Sequence, residues 1–96
     1  MSNVAIYYKQ DEEESTEHAV HRLNQFIQSI ETHNVVLGVF IDSFNQSSEL
    51  MDLLNSPLSE IEVIYMNKPL DNEFDNELIN QLSRAEQFQI KLFDET

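Results

Sequence analysis

The chain has 96 residues, with 18 acidic against 5 basic side chains and a formal net charge of −13; that length suits one small α/β domain with a single core, and one domain spanning 1–96 without a separate DNA-binding module is expected. Such a charge repels phosphate backbones and anionic membranes over roughly a Debye length, about 8 Å at physiological salt, so neither direct DNA binding nor membrane association is expected. With no cysteine, no basic leader and no apolar run near the roughly 20 residues of a membrane helix, disulfides and thiolate chemistry are excluded and a cytoplasmic location is the expectation.

Val4-Ala5-Ile6-Tyr7-Tyr8 opens the chain as a short β-rich run, and the acidic group Asp11 to Glu14 with Ser15-Thr16 reads as a helix start, where carboxylates meet the positive end of the helix dipole. Val20, Leu23, Ile27 and Ile30, with Phe26 beside them, keep helical spacing to about His33. The nearly continuous apolar run Val35 to Ile41 predicts a strand covered on both faces, ending at Asp42. A polar stretch from Ser43 to Ser48 leads to Leu50, Leu53 and Leu54, a short helix that stops near Asn55-Ser56-Pro57. Ile61 to Tyr65 predicts a third strand, Phe74, Leu78, Ile79, Leu82 and Ala85 a second long helix, and Phe88 to Phe93 a fourth strand. The order βαβαβαβ predicts a mainly parallel four-stranded sheet flanked by helices in three layers.

In open sheets of this kind ligands sit beyond the carboxyl ends of the strands, which selects the segments 8–14, 42–48 and 66–74. The only glycine, Gly38, lies inside a predicted strand. No glycine-rich phosphate cradle exists, so a dinucleotide site or P-loop is disfavoured and no cofactor is expected.

These three segments resemble the N-terminal catalytic domains of serine recombinases, the resolvases and invertases, over nearly the whole chain. Where the family reads roughly I-Y-A-R-V-S and then S-L-x-x-Q, this chain has Ile6-Tyr7-Tyr8-Lys9-Gln10-Asp11 and Ser15-Thr16-Glu17-His18-Ala19. Where it reads F-x-D and R-P-x-L-x-x-L-L, this chain has Phe40-Ile41-Asp42 and Ser47-Ser48-Glu49-Leu50-Met51-Asp52-Leu53-Leu54. Against Y-K-L-D-R-L-S-R stands Tyr65-Met66-Asn67-Lys68-Pro69-Leu70-Asp71-Asn72. The apolar positions agree and the polar catalytic ones do not.

The resemblance implies a family chemistry in which a serine attacks a DNA phosphodiester and arginines hold the phosphate. Here the serine position is Asp11, the arginine positions are Lys9, Ser47, Pro69 and Asn72, and the aspartate before an arginine is Lys68, while Asp42 is kept. A carboxylate at the nucleophile position repels an anionic phosphate, and lysine lacks the guanidinium fork. Losing one transition-state donor costs about 10²- to 10³-fold in rate, so losing several removes the reaction.

Other constellations weigh less. Asp42 at a strand end serves most often as a turn or helix-start residue. His18 and His21 stand three apart and could join Glu14 or Glu17 around a metal, but a solvent-facing pair is the commoner outcome. Asp11, Asp42 and Asp71 are the carboxylates an Mg²⁺ pocket would draw on, although three aspartates among so many acids align readily by chance. The expectation is a catalytically inactive resolvase-like domain that binds a protein partner or a second copy of itself as a regulatory module, linked to recombination of a phage or mobile element. Two alternatives stand beside it: an acidic DNA mimic that occupies a basic groove, and a residual enzyme with an acidic Mg²⁺ pocket.

Overall fold

A computed structural model describes residues 1–95. The elements run β1 (Ser2–Lys9), α1 (Thr16–Ile30), β2 (Asn34–Asp42), α2 (Ser48–Leu54), β3 (Val63–Met66), α3 (Glu73–Glu86) and β4 (Gln89–Leu92), with short 3₁₀ turns at Leu58–Glu60 and Phe93–Glu95. All strand pairings are parallel and the sheet order is β2-β1-β3-β4. The chain thus winds outward from β1 to β2, then crosses back past β1 to β3 and β4. Right-handed crossovers place helices on opposite faces when the winding direction reverses. Accordingly α1 packs on one face and α2 and α3 on the other, which gives the expected three-layer α/β architecture.

Alternation along β1 builds both cores. Val4, Ile6 and Tyr8 turn toward Ala19, Leu23, Phe26 and Ile30 of α1, while Ala5 and Tyr7 turn toward Leu50 and Leu53 of α2, Ile79 of α3 and the neighbouring Ile64 and Met66. Each large apolar side chain so enclosed contributes about 1.5–3 kcal/mol. Phe26 extends the α1 core by stacking on Phe93, ring centroids 3.9 Å apart, and meeting Tyr65 edge-on at 5.1 Å. The long helices begin at side-chain caps: Ser15 Oγ accepts from the His18 amide at 3.1 Å, and Asn72 Oδ1 accepts from the Asp75 amide at 3.0 Å.

The strand covered on both faces is β1, whose residues Val4 to Tyr8 are all buried, and not β2 as the apolar run predicts. β2 is an edge strand with Val35, Leu37 and Val39 exposed at 41, 48 and 40%. Run length reports hydrophobicity but not sheet order, and crossover topology sets the order. The pairing with β1 jumps from Val4↔Val36 to Ala5↔Gly38, leaving Leu37 as the extra residue of a bulge. α3 is also rotated from its predicted phase. Asp75 and Ile79 are buried and Leu82 packs on the core, whereas Phe74 is 73% exposed and Ala85 lies at the surface. α1 stops at Ile30 rather than near His33, and Ile61 and Glu62 precede β3 as a connection. Among the described residues no helix is long and apolar enough to cross a membrane.

Candidate functional site

Reversal of the winding direction opens a crevice beyond the carboxyl ends of β1 and β3. A cleft of about 200 Å³ lies there, and it brings together Lys9 from the end of β1, Ser47 from the start of α2, and Lys68, Pro69 and Asn72 from the loop between β3 and α3. Asp11 joins this group through an ion pair with Lys68 across the mouth. Six of the seven positions singled out by the resemblance therefore converge. The seventh, Asp42, sits beneath the cleft rather than in it.

Asp42 is buried, and both carboxylate oxygens are engaged by the protein. Oδ2 accepts from the Tyr7 hydroxyl at 2.7 Å and from the Leu50 amide at 3.0 Å, and Oδ1 accepts from the Glu49 amide at 3.0 Å. It ties the first turn of α2 to the centre of the sheet, the helix-start role that its strand-end position suggests. Burial, followed by the bond to Asp42, holds the Tyr7 hydroxyl far above the usual tyrosine range.

The remaining groups are likewise cross-linked. The Asn67 side chain accepts from the Lys9 amide at 2.8 Å and donates to the Lys9 carbonyl at 2.9 Å, which extends the β1–β3 pairing by one amide. Lys9 Nζ donates to the Gln46 carbonyl. Lys68 holds the exposed Asp11 carboxyl below the ordinary carboxylate range through their hydrogen bond and charge. Ser47 Oγ donates at 3.1 Å to Asp75 Oδ2, a buried carboxylate in the first turn of α3. Asp75 and the half-exposed Phe44 both line the cleft and were not anticipated from sequence. Asp75 sits four residues before Ile79 on the inward stripe of α3, so helical phase was the signal that could have found it.

The strand-end aspartates do not gather around a common point: Asp42 is enclosed by its own donors, Asp11 pairs with Lys68, and Asp71 lines the cleft wall. Among the described residues, no group of three or more His, Asp or Glu side chains is arranged to hold a metal. His18 and His21 are both exposed, and His18 Nδ1 lies 2.7 Å from Glu14 Oε2, one helical turn away. Glu14 also accepts from the Tyr8 hydroxyl and, through Oε1 at 3.1 Å, from the Asp11 amide. Burial raises the Glu14 carboxyl, but the bonds from Tyr8, Asp11 and His18 outweigh it and the net shift is downward. Tyr8 is pushed up to about 12, by burial first and by Glu14 second, against the opposing charge of Arg22, whose guanidinium donates to the hydroxyl at 3.2 Å.

In chemical terms the cleft holds a serine hydroxyl on a carboxylate, with no histidine in its lining among the described residues, and lysines already committed to Gln46 and Asp11. The partner of the Ser47 hydroxyl is thus a carboxylate, Asp75, rather than an imidazole. No protein-family model matches the chain, and no curated protein or solved structure matches it at a significant level.

Proposed function

We propose that the chain is a catalytically inactive, resolvase-like domain that works as a protein-binding or regulatory module in recombination by a phage or mobile element. The observation that carries this reading is the state of the strand-end cleft. Residues at the positions where the family resemblance puts a nucleophile and phosphate-binding arginines do meet in space, yet their polar groups are partnered within the fold: Lys68 with Asp11, Ser47 with Asp75, and Lys9 with Gln46. A phosphate would have to displace carboxylates from the groups meant to hold it, in a domain whose whole field opposes it. Large apolar side chains meanwhile remain at the surface, with Phe44 on the cleft and Phe74 in the first turn of α3. The decisive experiment joins a strand-cleavage assay on supercoiled DNA to a quantitative pull-down from the source cells. Absence of nicking and of any protein–DNA adduct, together with a partner retained at physiological salt, is the expected result. A covalent adduct would overturn the inactive assignment, and a strict monomer that captures nothing would overturn the binding one.

The acidic DNA-mimic reading is favoured by a separate observation. Of the 18 acids, Asp42, Asp75 and the Glu14 side chain are enclosed, so most of the negative charge is displayed. A complex formed that way must weaken steeply as salt rises. Association that ignores salt would remove this alternative.

A further inference from the structure

The strand-end cleft contains one acid that the fold only half engages. Asp75 is 9% exposed and lines the cleft. Its Oδ2 accepts from Ser47, while Oδ1 accepts no hydrogen bond among the described residues. None of the enclosed side-chain oxygens and nitrogens of those residues lacks a partner, so Oδ1 is open to solvent, and the solvent Asp75 borders is that of the cleft. The half-exposed Phe44 ring, Pro69 and Leu70 form apolar walls beside it. Charges of both signs share the lining, Asp71 and Asp75 with two lysines, but the lysine heads are turned elsewhere: Lys9 Nζ to the Gln46 carbonyl and Lys68 Nζ to Asp11.

We infer that the cleft receives an arginine side chain of a partner protein, its guanidinium donating to Asp75 Oδ1 and lying against the Phe44 ring. The inference rests on the protein-binding reading and names the chemistry of the partner at this site. Three features select a guanidinium. A net charge of −13 draws cations toward the domain. A carboxylate oxygen without an internal donor, on a largely enclosed side chain, gains a charge-assisted bond from it. The Ser47 bond to the other oxygen already fixes the orientation of that carboxylate, so little is lost in ordering it. Finally, aromatic and apolar walls suit a planar, weakly hydrated cation that stacks on rings, and disfavour the compact, strongly hydrated ammonium of lysine. Phosphate meets two acids in the lining, and a bare metal ion finds no group of three ligands among the described residues. At the surface, the exposed Glu73 and Phe74 in the first turn of α3 offer a charge and an apolar contact to the residues flanking such an arginine.

Titration of the isotope-labelled protein with the blocked tripeptide acetyl-Gly-Arg-Gly-amide, followed by amide chemical shifts, tests this at about 0.15 M salt, where distant charges are screened. Saturable shifts at Phe44, Ser47 and Asp75 are expected, with the Gly-Lys-Gly counterpart binding more weakly. Asp75→Asn, which leaves Ser47 an acceptor, should weaken the arginine peptide about tenfold or more. Phe44→Ala should weaken it about two- to fivefold. Glu31→Gln removes the same charge beyond the carboxyl end of α1, at the opposite end of the sheet, and should leave the affinity nearly unchanged. Circular dichroism confirms that each variant folds, and Phe44→Ala, at a half-exposed ring, carries the test if Asp75→Asn does not. Absence of saturable shifts, equal affinity for the two peptides, losses no larger than that of Glu31→Gln, or inorganic phosphate moving the same amides at lower concentration would overturn the inference. If the arginine peptide fails to bind while the pull-down retains a partner, only the arginine site falls. If it binds at Asp75 and the pull-down retains nothing, the protein-binding reading falls and the guanidinium site stands.

Discussion

Asp42 shows how one residue can satisfy a family pattern and still serve the fold. Its carboxylate takes three hydrogen bonds from the core and from α2, in a position with almost no solvent. Asp42→Ala should lower stability by about 2–4 kcal/mol, since it orphans a buried hydroxyl and removes a helix anchor together. Tyr7→Phe should cost less, about 1 kcal/mol, because the carboxylate keeps its two amide donors. Urea unfolding of the two variants checks the order; an Asp42→Ala variant as stable as wild type would remove the anchoring role. The tyrosines add a pH dependence. Tyr8 is held up to about 12 and Tyr7 higher still, both by burial first. In the unfolded chain a tyrosine ionises near pH 10, so above about pH 10 the unfolded chain releases protons that the folded protein keeps, and stability falls as pH rises. Tyr8→Phe should flatten part of that fall between about pH 10 and pH 12, relative to wild type. An unchanged slope in paired unfolding measurements would show that Tyr8 contributes nothing to it.

Elements differ in how openly the sequence declares them. The end of α3 turns on Gln87, whose φ of 62° is the only positive value at a non-glycine residue among those described. Glycine takes that conformation without the Cβ cost, so Gln87→Gly should stabilise the protein by about 0.5–1 kcal/mol. For a domain of this size that is a rise of a few degrees in Tm, and a fall would mean that the Gln87 side chain matters more than the strain it carries. The strand and helix succession was legible because periodicity is local: spacing of apolar residues identified every helix and strand. Sheet order was not, and so the apolar run of β2 read as a strand covered on both faces, whereas β1, less apolar in appearance for its two tyrosines, holds that place. Tyr7 can be buried there because Asp42 receives its hydroxyl, a pairing 35 residues apart that no local pattern displays. Convergence of Lys9, Ser47, Lys68 and Asn72 was legible from topology, since strand ends meet at the winding reversal. The partner of Ser47 was not, because it depends on Asp75 facing inward while its neighbour Phe74 is exposed.

At the scale of the molecule the dominant quantity is charge against size. The radius of gyration is 12.6 Å and the net charge −13. At about 10 mM salt the Debye length is about 30 Å, so every carboxylate feels every other across the fold; at about 0.15 M it is about 8 Å, shorter than the molecule, and repulsion is confined to near neighbours. Unfolding separates those charges, and low salt therefore favours the unfolded chain. The attractive pairs do not reverse this. Lys68–Asp11 and His18–Glu14 each have an exposed member and, like surface pairs generally, are worth at most about 1 kcal/mol, while like-charged neighbours are far more numerous. Raising sodium chloride across that range should move the urea midpoint upward with an unchanged m-value, since the surface exposed on unfolding stays the same. Urea is the required denaturant because guanidinium screens the charges itself. The protein must be kept dilute, since any association would add stability of its own. A midpoint that stays level or falls would mean that the acids are compensated locally, and that the field invoked against DNA is weaker at the surface than the sequence charge implies.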